Sequence, residues 1–484
     1  MYDMIFQLTD SIRQIGFFLW TWVFGVALVV GGIYFTIRTR FVQFTSLPVA
    51  IRTILGKDAK ENAETVGKNK PKSALSAFQS FCISESSRVG TGNIVGTAVA
   101  ITTGGAGAIF WMWAMALIGA ATGFIESTMG QIYKENHGDR FLGGPMYYFQ
   151  RAFKSKVPSY VVSIIIAVTY GFVFNSIQTN TIADNLQHYV PSRIFIGIGL
   201  AVIVALIIFG GAMRIAKIAT TILPFMVITF LLVCFSIILL NLPLFFNTIG
   251  YIVQTAFGTT QIAGGALGFT IGQAVQQGLR RGLFSNEAGL GTVPIAASTS
   301  MVSHPAKQGA VQSFGVFLDT LVICSATAFI VLMSGMHTTG VAGVVLVRES
   351  LTYFIGGFAS PFLNIMLFLL PFTSIIGNYF YGESCIRFAA KGKASITVYR
   401  ILAIVLIVLA SLAPLQLVWN LADIFTGTLV TLNVIVLFMI GKTAIACLDD
   451  FRKQRRLQKQ GLAGEPIFYD DSINIDTPYW KRNR

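Results

Sequence analysis

Arg88-Val89-Gly90-Thr91-Gly92-Asn93 lies near the middle of an apolar stretch at 73–103. Two glycines with a threonine and an asparagine weaken a helix there, because glycine gives up the most backbone entropy on folding. In hydrocarbon an unpaired backbone N–H or C=O costs several kcal/mol, so such an interruption persists only where it faces protein or a water-filled cavity. Broken membrane helices with free backbone groups at mid-depth are how many secondary transporters hold an anionic solute and a cation. The motif predicts a transporter.

The rest of the chain agrees with a membrane setting. Of its 484 residues 54% are hydrophobic and 12% charged, against about 25% charged in soluble domains. The pattern predicts an all-α polytopic membrane protein with eleven spans at 15–37, 73–103, 107–134, 158–187, 193–212, 215–241, 256–285, 309–336, 355–381, 398–413 and 417–446. The first is expected to be a retained helix, since a basic n-region and a small-residue cleavage site are absent. Loops on one side hold all 35 Lys and Arg residues except Arg13, Arg88, Arg193 and Arg348. That side is expected to be cytoplasmic, with the N-terminus outside, the C-terminus inside and the chain in a plasma (inner) membrane. The net charge of +14 thus reflects orientation, not nucleic-acid binding. The loop 52–72 could touch anionic lipid, although an ordinary positive-inside loop is the preferred explanation. The polar tail 449–484 is expected to be a solvated extension.

A second interruption is expected in the span 256–285, at Gly264-Gly265-Ala266-Leu267-Gly268-Phe269-Thr270-Ile271-Gly272-Gln273, followed by Gln276, Gln277 and Gly278. It comes five spans after the first. An odd offset makes the two halves enter the membrane from opposite sides, an inverted repeat. The division expected is 1–72 (leading helix and basic loop), 73–241 (first repeat), 256–446 (second repeat) and 447–484 (tail).

Val89–Gly96, the run Gly104-Gly-Ala-Gly-Ala-Ile-Phe-Trp-Met-Trp113, Gly143-Gly-Pro-Met-Tyr147 and Arg281-Gly-Leu-Phe-Ser-Asn-Glu-Ala-Gly289 resemble the alanine/glycine:cation symporter family. The resemblance implies the LeuT-type 5+5 inverted-repeat fold with one extra N-terminal helix, sodium coupling and symport of small neutral amino acids by alternating access. It also makes 73–103 core helix one and 256–285 core helix six. The segment Ile125-Glu126-Ser127-Thr128-Met129-Gly130 echoes a pattern of the wider superfamily.

An amino-acid carboxylate can sit on the backbone N–H groups of Thr91 and Gly92, with Gly90 and Asn93 beside them; close helix packing is the competing explanation of the glycines, and the preferred one for Gly96. By resemblance, sodium would take carbonyls of Ser86, Val89 and Leu370 and the hydroxyls of Thr373 and Ser374. From the residues alone, an adjacent Thr-Ser pair is more often bonded back to the i−4 carbonyl. Phe269 is expected to close over the substrate, with Thr270, Gly272 and Gln273 in the second break meeting its ammonium. Asn175 and Gln178 share one helical face, near Asn180, and serve either as site residues or as interhelical glue. At Asn378, where some members carry Trp, the smaller amide leaves a roomier, more polar pocket, so glutamine is an alternative substrate.

The ionisable residues within spans are Glu85, Arg88, Glu126, Asp184, Asp319 and Asp423, candidates for function because they are expensive there. Arg88 needs a carboxylate: Glu126 or Asp319 as gate or tie, or Glu85, which could instead carry a proton. Ser285-Asn286-Glu287 is expected at the cytoplasmic end of the second broken helix, as cap or gate. No His pair has metal-ligand spacing, the five cysteines are scattered, and no P-loop is present, so the expected cofactor is Na+ as coupling ion with no organic group. The expected partners are the amino acid, sodium and the bilayer, with the protein a monomer and not an enzyme. An intramembrane enzyme would need a catalytic dyad and a channel a repeated filter, and neither pattern appears.

Overall fold

The computed structural model describes residues 16, 18–56, 71, 73–187, 189–258, 271–390 and 392–482. Eight helices among these are long and apolar enough to cross a membrane. They are α1 (Trp20–Arg38), α5 (Gly107–Ile132), α7 (Val157–Leu186), α9 (Gly211–Leu240), the pair α14 (Gly343–Ile355) and α15 (Ala359–Ala389), α13 (Pro305–Met333), α16 (Lys393–Ala410) and α17 (Leu415–Ile440). The shorter apolar helix α8 is Arg193–Ile208. The chain is thus a multi-pass membrane protein. Short helices flank these: α2 (Leu47–Ile54), α6 (Pro145–Phe153) and α10 (Leu242–Ala256).

Two apolar stretches are broken. The first comprises α3 (Ala77–Arg88) and α4 (Thr97–Gly104), joined through a wide turn at Gly92–Gly96. A capping box starts α3: Ser76 Oγ accepts from Gln79 N at 3.1 Å while Gln79 Oε1 accepts from Ser76 N at 2.9 Å. The helix ends at Val89, which is extended. The second comprises α11 (Ile271–Asn286) and α12 (Val293–Ser298).

Of the stretch expected to be interrupted, the described part, 271–278, is helical instead. Residues 259–270 lie outside the described residues, and from Ile271 the helix runs uninterrupted to Asn286. Gly278 serves packing: a Cβ there would lie 2.6 Å from the Ala108 carbonyl oxygen on α5. Gln276 donates to Thr21 Oγ1 at 2.8 Å. Among the described residues the chain breaks at Glu287–Thr292, where Glu287, Gly289 and Gly291 have φ of 56°, 88° and 79°, values a helix cannot continue through.

The tail is a second correction. After α18 (Lys442–Lys459), residues 465–480 pack under the basic end of the bundle. Phe468 N donates to Ser303 O at 2.9 Å, Lys307 pairs with Glu465 at 2.6 Å, and Trp480 Nε1 donates to Gln131 O at 2.8 Å. The Lys134 ammonium, buried, bonds Ser300 O at 2.9 Å and sits between the rings of Phe141, Tyr479 and Trp480 at 4.1, 4.9 and 4.8 Å. A few aromatic anchors fold a segment whose average polarity signals solvent. At the same end of the bundle a bridge from Leu75 to Ser300 joins the segments before α3 and after α12.

Candidate functional site

The two interruptions face each other. Asn93 Nδ2 donates to Ser285 Oγ at 3.2 Å and to the carboxylate of Asp319, which also accepts from Ser285. Ser87 Oγ lies 2.7 Å from both Glu287 Oε1 and Asn378 Oδ1. Ser285-Asn286-Glu287 therefore sits beside the first break and is not a cytoplasmic cap.

The backbone groups freed at the two breaks are satisfied differently. At the second, the buried carboxylate of Glu126 accepts from Gly289 N at 3.0 Å, Gly291 N at 2.9 Å and Asn433 Nδ2 at 2.8 Å. An internal carboxyl group thus fills that nest. At the first, Gly90 N donates to Asn93 Oδ1 at 2.8 Å, and Thr91 donates through N and Oγ1 to Gln178 Oε1 at 3.1 and 2.7 Å. A neutral amide oxygen, carried on a rotatable side chain, occupies the place a carboxylate oxygen could take. Charge-assisted bonds from the same donors would be stronger than these neutral ones.

Next to Thr91 a set of hard oxygens converges. Ser374 Oγ donates to Leu370 O at 3.1 Å and to Val89 O at 3.3 Å, and Thr373 Oγ1 donates to Leu370 O at 2.9 Å. Ser86 and Thr373 line one small cavity with Ile83, Ile215, Ile376 and Gly377. The Ser86 hydroxyl is bonded to Cys82 O at 2.7 Å. Both hydroxyls bond back along their own helix, the competing explanation of the Thr-Ser pair, and Ser374 also reaches across to Val89. Neutral carbonyl and hydroxyl oxygens without a carboxylate suit a monovalent hard cation. A Cβ on Gly90 would lie 2.2 Å from Ser374 Oγ and 3.0 Å from Gln178 Oε1, so glycine alone lets these elements meet.

Asn175 and Asn378 are joined by an amide bond of 3.0 Å. Gly272 and Gln273 are exposed in the first turn of α11; with about 1.5 Å of rise per residue they are about 18 and 16 Å along the helix from Phe284, away from the break at Glu287–Thr292. Phe269 and Thr270 lie outside the described residues. Arg88 pairs with Glu85 at 2.7 Å, not with Glu126 or Asp319, and a Cβ on Gly315 would collide with that pair.

The roles of several residues near the break, and the part of Trp419 and Arg280, escaped the sequence analysis. Phe284 packs on Gly92, with a contact of 3.0 Å to an ideal Cβ there, and its ring lies 4.9 Å from both Phe174 and Trp419. Trp419 is covered by Arg281 at 4.5 Å. Asp423 holds Arg281 at 3.0 Å and Arg280 at 3.5 Å, so these arginines belong to a broken span and not to a basic loop. The available signal was Gly289-Leu290-Gly291, which echoes Gly90-Thr91-Gly92.

Comparison with known proteins places the chain in a family. The family model described as the sodium:alanine symporter family matches residues 5–464. The "Probable sodium/glutamine symporter GlnT" of Bacillus subtilis is 43% identical over 94% of this chain and 92% of its own. The "Amino-acid carrier protein AlsT" of the same organism is 41% identical over 94% of each chain. The "Sodium/alanine symporter AgcS" of Methanococcus maripaludis is 31% identical over 92% of this chain and 97% of its own. The chain belongs to the sodium:alanine symporter family.

Proposed function

We propose that this protein is a sodium-coupled symporter of a small neutral amino acid, alanine or glycine, working by alternating access in a LeuT-type fold. The first repeat would be 73–241, the second 256–446, and the N-terminus would lie outside. The observation that carries the proposal is the convergence of Thr91 N and Oγ1 on Gln178 Oε1 directly beside Val89 O, Leu370 O and Ser374 Oγ.

The substrate carboxylate would displace the Gln178 amide and take both Thr91 donors. The ion would sit among Val89 O, Leu370 O and the hydroxyls of Thr373 and Ser374, which turn their protons away to offer lone pairs. Sodium then holds α3 against α15 and fixes the position of Thr91, so the two solutes bind cooperatively. Each sodium entering with the membrane potential gains about 2.3 kcal/mol per 100 mV. Phe284 and Trp419 cover the site on the side of Arg281 and Asp423, and the Glu85–Arg88 pair and the Glu126 clamp cover it on the other.

Glutamine is the second reading. The Asn175–Asn378 amide pair beside Ser87 could exchange its mutual hydrogen bond for one to a substrate amide, and a relative bears a sodium/glutamine name. Uptake of labelled alanine, glycine and glutamine into proteoliposomes under an inward sodium gradient tests both. Accumulation of one of them that disappears in choline is expected; no sodium stimulation for any rejects the coupling.

A further inference from the structure

The basic end of the bundle carries a groove that the transport site does not use. After Arg38 the chain reverses through Arg40 and Phe41, both left-handed at φ 53° and 56°. The turn Val42–Thr45 and α2 then run beside α18, enclosing an open groove of about 750 Å³. Val42, Thr45, Ser46 and Val49 line it from one segment; Leu448, Phe451, Arg452, Arg455, Arg456 and Lys459 line it from the other.

Its chemistry is divided. Val42, Val49, Leu448 and Phe451 are buried and apolar. The cations stand at the rim. Arg452 is anchored, donating to Thr39 O at 2.6 Å and pairing with Asp449 at 3.6 Å. Among the described residues Arg455, Arg456 and Lys459 have no ion-pair partner. Ser46 is 7% exposed, yet its hydroxyl has no hydrogen-bond partner. That hydroxyl lines the groove with its hydrogen-bonding capacity unused.

The location narrows the ligand further. The groove opens immediately beyond the end of α1, where Phe41 and Phe44 are 55% and 46% exposed, as aromatic residues are at a membrane interface. A molecule apolar at one end and anionic at the other, present at that depth, satisfies all three features. We infer that the groove binds an anionic phospholipid, its phosphate held by Arg455, Arg456 and the Ser46 hydroxyl and an acyl chain laid over Val49 and Phe451.

Native mass spectrometry of the full-length protein, titrated with phosphatidylglycerol or chain-matched phosphatidylcholine, tests this. Phosphatidylglycerol should bind one to one, at least fivefold more tightly than phosphatidylcholine. Arg455→Gln with Arg456→Gln should weaken it roughly 25-fold, at about fivefold per cation near a lipid headgroup. Ser46→Ala should weaken it as well, and Lys459→Gln provides a single exposed substitution should the double variant not fold. Equal retention of the two lipids, or unchanged affinity in these variants, overturns the inference. Displacement by inorganic phosphate at matching concentration would reveal a plain anion site and overturn it too.

Discussion

Replacing Gly90 by alanine tests whether the contact between α3 and α15 is where the cation binds. The added methyl would lie 2.2 Å from Ser374 Oγ and 3.1 Å from Ser374 Cβ, with Gln178 Oε1 at 3.0 Å on its other side. Ser374 cannot yield cheaply, because its hydroxyl already bonds Val89 O and Leu370 O. Relief requires α3 and α15 to part, which opens the oxygen set that a cation needs closed. Overpacking costs about 1–3 kcal/mol, and the lost hydrogen bond about 1 kcal/mol more. The sum, about 2–4 kcal/mol, falls on the closed state and predicts a sodium half-saturation raised roughly 30- to 1,000-fold in proteoliposome uptake. Gly96→Ala is the control: its methyl would meet Trp419 at 3.7 Å and the Thr91 carbonyl at 4.0 Å, ordinary contacts inside a helical turn, so transport should persist. A Gly90→Ala protein with sodium dependence within threefold of wild type would refute the assignment.

Three further outcomes follow from the geometry. Glu126→Gln leaves one backbone N–H of the second break unpaired, so the melting temperature should fall by an amount corresponding to about 1.5–3 kcal/mol, whereas Asp184→Asn at a 40% exposed carboxylate should change little. Trp480→Ala removes the buried anchor of the tail and should cost about 3–5 kcal/mol, read as early proteolysis of the C-terminal segment; Leu462→Ala, at a side chain 73% exposed, should not. His304 accepts from Ala306 N through Nδ1 and faces Asp450 at 3.2 Å through Nε2. Burial lowers its pKa from 6.5, outweighing the pull of Asp450. A histidine lowered on folding contributes stability that is present above pH 6.5 and lost as pH falls below it, because the unfolded chain takes the proton first. The melting temperature should therefore drop between pH 7.5 and 5.5, and less so in His304→Asn.

The first break was legible because Gly90 and Gly92 interrupt an otherwise apolar run, and the same is true of the long spans. The break at Glu287–Thr292 escaped notice for a physical reason, whereas the interruption expected at Gly264, Gly265 and Gly268 lies outside the described residues. The break follows Arg280, Arg281 and Asn286, residues that mark loops when taken alone. They are buried because Asp423, far along the chain, neutralises the arginines, and Thr320 on α13 receives the Asn286 amide at 3.1 Å. Long-range pairing of that kind leaves no local signature, and neither does the left-handed Glu287. Asn175, Gln178 and Asn378 were identifiable as buried amides on shared faces, but their partners were not: only the fold brings Gln178 to Thr91. The tail was misjudged because Phe468 and Trp480 are sparse in a polar stretch, and their docking surfaces, Ser303 and Gln131, lie elsewhere in sequence.

The central claim is that an amino acid and sodium occupy adjoining sites at the first break. Isothermal titration of the purified protein with alanine, glycine and glutamine, in sodium chloride and in choline chloride, addresses it most directly. The account predicts saturable binding of one of them in sodium, at least tenfold weaker in choline and weakened in both by Gln178→Ala or Thr91→Ala. Equal affinity with and without sodium, or binding indifferent to those two substitutions, would contradict it.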